Sequence, residues 1–374
     1  MNKVILKEQE IIMSNQKDRI ELVLLHSNVS FLLGAGASVK PVEGKLSFPL
    51  MRDLLETVKS DKDIVDFYAM LSEKTKSDLD QYGMIKSLFD RFVFSPSSNI
   101  ETFLSSLDCV EEFINNDEFR KSVINCRDTI RTAIKNRINS SDAETVIDVY
   151  KKFYNALHHL REINSDSSST FNIFTTNYDM LNESAMEELG IHYYAGFYGI
   201  AKRRFNISYY DHEFVNTHKI KKAKYVVDNN HINLYKLHGS LSWSFDESTN
   251  ELIEKNPLDM DFQPEIIYPS SSKFQRTNSI VFYSALMREF SDKLCQEGTT
   301  LVVSGTSLGD EHINKLIENA LSIPSFTLLI FGFNDEQILE LKTRYSKYPN
   351  VIVCEEPKSF FDVADFIANI EVNK

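Results

Sequence analysis

Residues 31–38 read FLLGAGAS, an apolar run that stops at Gly-Ala-Gly-Ala-Ser. A buried strand that ends in glycine and passes into a helix presents backbone amides where the helix dipole also favours negative charge, so the stretch suits a phosphate. Gly34 and Gly36 permit unusual φ and keep Cβ atoms out of a ligand's way. Val39 stands where the last glycine of a GxGxxG fingerprint would be, so the dinucleotide pattern is incomplete. Taken alone, the turn reads equally well as a tight strand–helix corner with no ligand.

Outward from this turn the pattern repeats. Strands are expected at FNIFTTNYD (171–179), INLYKLHGS (232–240), EIIYPS (265–270), TLVVSGTS (300–307), FTLLIFGF (326–333) and NVIVCEE (350–356). Helical periods fill 279–297, 310–322, 335–346 and 358–370. Short apolar strands alternating with helices imply an α/β fold with a Rossmann-like parallel sheet covered on both faces. Residues 1–28 read as a leading helix, and 29–374 as one domain carrying a large helical insertion at about 50–165, after the first strand. Ser98 and Glu101 have capping-box spacing within that insertion. Residues 190–231, rich in Tyr, Phe, Gly and Arg, read as loops or a small hairpin near the site.

Composition narrows the function. Lys and Arg number 41 against 54 Asp and Glu, a net charge of −13. That balance argues against an extensive nucleic-acid surface. The basic stretches AKRRF (201–205) and HKIKKAKY (218–225) read as solvated faces. No apolar run approaches the ~18 residues of a membrane span, and the first residues lack a signal peptide's apolar core, so a cytoplasmic location is expected. Cys109, Cys126, Cys295 and Cys354 are far apart and form no CxxC pair, so free thiols are expected and no zinc or other metal site.

In open parallel sheets ligands sit beyond the carboxyl ends of the strands. The candidate residues there are Gly34, Ala35, Gly36 and Ser38; Thr175, Thr176, Asn177 and Asp179; His238 with Gly239; and Gly305, Thr306 and Ser307. His238 differs from the other histidines in following an apolar strand directly and preceding glycine, where an imidazole can take a proton from water or a sugar hydroxyl. Asn177 offers a donor and an acceptor to a water or ribose, and Asp179 can accept from an amide.

Together GAGAS, TTNYD, KLHGS and SGTSL, in this order, resemble the motifs of the sirtuin (Sir2-like) family. The resemblance implies that the GAG turn contacts the pyrophosphate of NAD. Thr175–Asp179, with Thr176 for Gln and Tyr178 for Ile of the family's TQNID, lines the ribose–nicotinamide pocket, and His238 is the general base. Deacetylase sirtuins carry a CxxC zinc ribbon, absent here, and a GIPDFR-type loop, where this chain reads VKPVEGKLSFPLMRDL. The helical insertion, NIETFLSSLD and SLGDEHINKLI are instead similar to the bacterial Sir2-like domains of anti-phage defence, which implies an NAD glycohydrolase.

On that resemblance NAD is the substrate, with pyrophosphate at Gly34–Ser38 and the helix that follows. Asn177 places the water or ribose, Asp179 holds the carboxamide, and Thr306 and Ser307 line the adenosine side. The segments after residue 325 are expected to be the sheet's far edge rather than a sensor, so control is expected from other chains. Those are further copies in a homo-oligomer larger than a dimer, and a HerA-type ATPase. Two alternatives stay open: a non-catalytic NAD or ADP-ribose sensor or scaffold, which the same motifs would serve, and a partner-dependent nuclease, for which no metal–carboxylate cluster is visible.

Overall fold

The computed structural model describes residues 16–39, 41–42, 45–46, 51–76, 78–94, 100–111, 113–139, 143–163, 170–215, 231–246, 248–256 and 280–371. Helix α1, at 16–25, leads into strand β1 (Asn28–Leu33). A 3-10 turn (Ala35–Ser38) and the short pair β2 (Pro41–Val42) and β3 (Lys45–Leu46) come next. The insertion contains α2 (Met51–Ser60), α3 (Lys62–Lys74), α4 (Leu79–Phe92), α5 (Ile100–Glu111), α6 (Asp117–Asn139) and α7 (Ala143–Ile163). The chain then forms β4 (Phe171–Thr175), α8 (Leu181–Glu188), β5 (Tyr193–Tyr194), β6 (Phe197–Tyr198) and β7 (Arg203–Phe205). Beyond these lie β8 (Ile232–Lys236), β9 (Trp243–Asp246) and β10 (Glu251–Glu254). It closes with α9 (Ile280–Leu294), β11 (Thr299–Ser304), α10 (Glu311–Ala320), β12 (Thr327–Phe331), α11 (Asp335–Arg344), β13 (Val351–Val353) and α12 (Phe360–Ala368).

Among the described residues the main sheet has seven strands in the order β13-β12-β11-β1-β4-β8-β5, and each neighbouring pair is parallel. From β1 the chain builds outward through β4 and β8, then returns to add β11, β12 and β13 on the other side. The strand order therefore reverses between β1 and β11, where a parallel sheet opens a crevice for ligands. This is the Rossmann-like α/β architecture that the alternating pattern implies.

Alternation along the strands divides the core. Val29, Phe31 and Leu33 of β1 join one buried cluster with α7, α12 and the other insertion helices. Leu32 faces the second cluster, built with α9 and α10. The same two-residue period places Val302 on the first face and Leu301 and Val303 on the second. Helix starts are fixed by side chains: Asp310 accepts from the amides of His312 and Ile313, and Ser359 with Asp362 forms a capping box on α12.

The second, antiparallel sheet, β6-β7-β10-β9, goes beyond the hairpin expected within 190–231. It absorbs the basic stretch at 201–205: Arg203 pairs with Glu254, and Arg204 with Glu251 at 3.2 Å, across the β7–β10 ladder. The expected strand at 265–270, Ser98 of the expected capping box, HKIKKAKY at 218–225 and the first half of the leading helix lie outside the described residues. None of the four cysteines forms a disulfide; Cys126 and Cys354 are buried and Cys295 is exposed. Among the described residues no helix is long and apolar enough to cross a membrane.

Phe153 of α7 ties the insertion to the sheet. Its ring meets Phe31 edge-on at 5.0 Å and Phe360 of α12 at 4.9 Å, and it is fully buried. Phe153→Ala is expected to lower unfolding free energy by about 3–5 kcal/mol, through lost transfer energy and a residual cavity. Urea denaturation checks this, with the slope expected to stay at its wild-type value.

Candidate functional site

Four adjacent strands, β11, β1, β4 and β8, end side by side, and their carboxyl ends carry every candidate residue. The turn after β1 and the turn after β11 are packed backbone to backbone. Gly36 N donates to Gly305 O at 2.7 Å, and Gly34 N to Ser304 O at 3.1 Å. A Cβ on Gly34 would lie 2.5 Å from Thr306 Cβ, and one on Gly36 would lie 2.9 Å from Gly305 Cα. Gly305 itself has φ +70, and a Cβ there would meet Ala37 N at 2.3 Å. The glycines therefore let two loops touch.

The helix expected directly after this turn is a four-residue 3-10 turn, Ala35–Ser38, that passes into extended backbone at Val39. The amides of Gly34, Gly36 and Ala37 all donate to main-chain carbonyls. The anion-binding helix start of the sequence reading is thus replaced by a closed corner. What the corner presents is shape and close backbone approach rather than a row of free amides.

Behind the corner lies a buried polar network. Asn177 Nδ2 donates to Gly34 O at 3.0 Å and to Ser38 Oγ at 2.9 Å, and Asn177 N donates to Thr175 Oγ1 at 3.0 Å. The Gly34 carbonyl can only accept, so the nitrogen of Asn177 must face it. Ser38 Oγ donates to Asp179 Oδ2 at 2.7 Å, and Asp179 Oδ1 accepts from Leu181 N at 3.1 Å. Asp179 is 5% exposed, with both oxygens engaged inside the protein. Burial raises its pKa, while the charge of Lys236 and the Ser38 hydrogen bond pull it down.

Lys236, at the last position of β8, was not singled out from sequence. It is fully buried, and its Nζ donates to Glu183 Oε1 at 2.9 Å, to Ser240 Oγ at 2.8 Å and to the Asp179 carbonyl. Burial likewise raises the pKa of Glu183 against the pull of Lys236. One ammonium thus holds the 178–183 segment against the end of β8. The sequence signal was a lone charge in the apolar run INLYKL.

His238 is 3% exposed, and its Nε2 lies 3.0 Å from Asp310 Oδ2. Asp310 uses Oδ1 for the start of α10, so one carboxylate both caps a helix and orients an imidazole. Asp310 was also missed as a site residue. Its signal was an acidic residue immediately before a helical period, within SLGDEHINKLI.

Beside Gly36 and Gly305 a cavity of about 390 Å³ opens, lined by Thr306, Ser307, Phe331, Asn334 and Ser359 among others. Asn334 and Ser359 cap the starts of α11 and α12, so two helix N-termini face this space. Of the expected residues, Gly36, Gly305, Thr306 and Ser307 line the cavity. Gly34, Ser38, Asn177 and Asp179 belong to the network behind it. Ala35 is exposed on the corner, Thr176 donates its amide to Leu33 O at 3.1 Å, and His238 sits with Asp310. Among the described residues no group of three or more His, Cys, Asp or Glu is placed to hold a metal ion.

Residues 172–350 match the family model of the SIR2-like domain. The matched stretch runs from β4 to the end of α11 and beyond, and includes Asn177, Lys236, His238 and Gly305–Asp310. It supports a Sir2-like fold for this chain and suggests NAD-related activity in general. No curated protein matches the chain.

The ion pair generates a pH prediction. Without its ammonium, the Lys236→Met variant leaves two buried carboxylates uncompensated, a loss of about 3–5 kcal/mol at neutral pH. A carboxylate whose folded pKa is raised binds more protons folded than unfolded, so stability falls as pH rises. Asp179 and Glu183 are already raised, and losing the lysine raises them further. The difference between variant and wild type is therefore expected to be larger at pH 8 than at pH 5. Urea unfolding at both pH values measures it.

Proposed function

We propose that this protein hydrolyses NAD at the bond between nicotinamide and ribose. The observation that carries the reading is the pairing of Asn177 and the His238–Asp310 couple at the ends of the neighbouring strands β4 and β8, next to the cavity at the reversal point of the sheet. The two strands are neighbours about 4.8 Å apart, and we take both groups to serve one reaction centre. The adenosine end of NAD would occupy the cavity beside Thr306 and Ser307, with its pyrophosphate passing the Gly34–Ser38 corner.

In the reaction the C1′–N bond breaks, its electron pair leaves with the nicotinamide nitrogen, and positive charge develops on the ribose. Pyridinium is a good leaving group and needs no strong acid. Asn177 has both amide hydrogens committed inside the protein, so its Oδ1 is the atom that accepts from the attacking water or a ribose hydroxyl. The water oxygen bonds to C1′ and its proton passes to His238. The Asp310 carboxylate, 3.0 Å from Nε2, holds the ring in place and stabilises the imidazolium that forms. Asp179, expected to hold the carboxamide, has both oxygens engaged by Ser38 and Leu181, so we assign it to holding Ser38.

The biological setting is part of the same proposal: NAD depletion in anti-phage defence, in a cytoplasmic homo-oligomer larger than a dimer, with a HerA-type ATPase partner. Its support is the resemblance of NIETFLSSLD and SLGDEHINKLI to bacterial defence domains. Light scattering of the pure chain, and NAD cleavage with and without such an ATPase, test it. A fully active monomer would end it.

Nicotinamide release from NAD by purified protein tests the chemistry. His238→Ala is expected to reduce the rate by about 10²–10⁴, the usual contribution of a general base. Asn177→Ala is expected to abolish measurable cleavage. Asp310→Asn keeps a residue equally good at capping α10 but removes the charge facing His238. It should melt as wild type does and lose activity, though less than His238→Ala. Tight NAD binding without cleavage would make the chain a sensor instead.

A further inference from the structure

Two tyrosines one turn apart on α7, Tyr150 and Tyr154, lie on a face otherwise made of Val146, Phe153 and Leu157. Both are buried, and each hydroxyl finds its partner beyond the helix. Tyr154 donates to Asn182 Oδ1 at 2.7 Å, and the Tyr150 hydroxyl lies 2.8 Å from Ser38 Oγ. Phenylalanine would fill either position with the same ring, so the hydroxyls call for their own explanation.

Counting at Ser38 sets the direction of the Tyr150 bond. A serine hydroxyl has one hydrogen and two lone pairs. The hydrogen goes to Asp179 Oδ2, and one lone pair accepts from Asn177 Nδ2. The remaining lone pair accepts from Tyr150, which is therefore the donor. Burial, with the nearby charge of Asp179, holds the Tyr150 phenol well above its ordinary pKa, so the donor proton is retained. With all three places filled, Ser38 cannot turn without breaking a hydrogen bond, and the Asn177 amide that leans on it cannot turn either.

We propose that Tyr150, contributed by the helical insertion, is a positioning residue for Asn177, acting through Ser38. The role rests on the NAD-cleavage reading above. Without the phenol, Ser38 has a vacant lone pair and can rotate, and the Asn177 Oδ1 loses its fixed aim. One neutral hydrogen bond corresponds to about a three- to tenfold loss in kcat. KM should stay constant, because phenylalanine keeps the ring that meets Phe360 beside the cavity, and neither Tyr150 nor Ser38 lines it.

Tyr154→Phe supplies the control, since it removes an equally buried hydroxyl of the same helix whose partner is Asn182. Full-length wild type, Tyr150→Phe, Tyr154→Phe, Ser38→Ala and the Tyr150→Phe/Ser38→Ala double variant would be compared by steady-state nicotinamide release and thermal melting. The expected result is similar melting of the two phenylalanine variants, a lower kcat at unchanged KM for Tyr150→Phe alone of the two, and no additional loss when Ser38 is already alanine. Equal kcat in the two phenylalanine variants, or losses that multiply in the double variant, would overturn the role while leaving NAD cleavage standing. A wild type that releases no nicotinamide would overturn the NAD reading, and the role of Tyr150 with it.

Discussion

The contact between the backbones of Gly36 and Gly305 is the constraint on which the site depends. A parallel sheet whose strand order reverses leaves a gap between the loops of the two strands at the reversal. Here that gap is closed by main chain, at a Gly36 N to Gly305 O distance of 2.7 Å that no Cβ on either glycine would permit. Closing it turns the Gly34 carbonyl toward Asn177 Nδ2, and so decides which way that amide faces. A contact between two loops thereby fixes the chemistry presented by a third.

Charge is the second constraint. Removing Lys236, Asp179 and Glu183 from water carries a desolvation penalty that their attraction only partly offsets. An apolar trio of similar volume would hold the sheet as well. What it would not do is grip particular atoms: Lys236 binds the Asp179 carbonyl, the Glu183 carboxylate and Ser240 together. The loop that carries Asn177 is thus tied to the loop that carries His238 by a group that tolerates little displacement. Stability is given up for position, as in many active sites.

Six of the sheet's seven strands were legible because each is a short apolar run and small polar residues recur at the strand ends; the seventh, β5, has two residues and lies within 190–231, which reads as loops or a small hairpin. The second sheet was not legible. Its strands have two to four residues, and Arg203, Arg204, Glu251 and Glu254 present a polar face that reads as loop. Motif reading found His238 and Asn177, which stand where a strand stops. It missed Asp310 and Lys236 because a helix cap and a strand charge each have an ordinary explanation, and only the fold brings Asp310 to within 3.0 Å of His238. Tyr150 was invisible for the same reason. In a sequence, a tyrosine within an apolar helical stripe is simply part of the stripe.

The cavity and the His238–Asp310 couple meet in one short loop. Thr306 and Ser307 line the cavity, and three residues later Asp310 holds His238. Between them Leu308 adopts φ +53, a left-handed conformation that costs a non-glycine residue about 1–2 kcal/mol. The conformation is held from both sides: the Leu308 carbonyl accepts from Asn314 Nδ2 and from Arg344 Nη1, the latter at 3.0 Å, while its amide donates to Thr306 Oγ1 at 3.1 Å. Asn314 belongs to α10 and Arg344 to α11, so the two helices that flank β12 jointly set the loop. A ligand that moved Thr306 in the cavity would act on the same turn that aims Asp310.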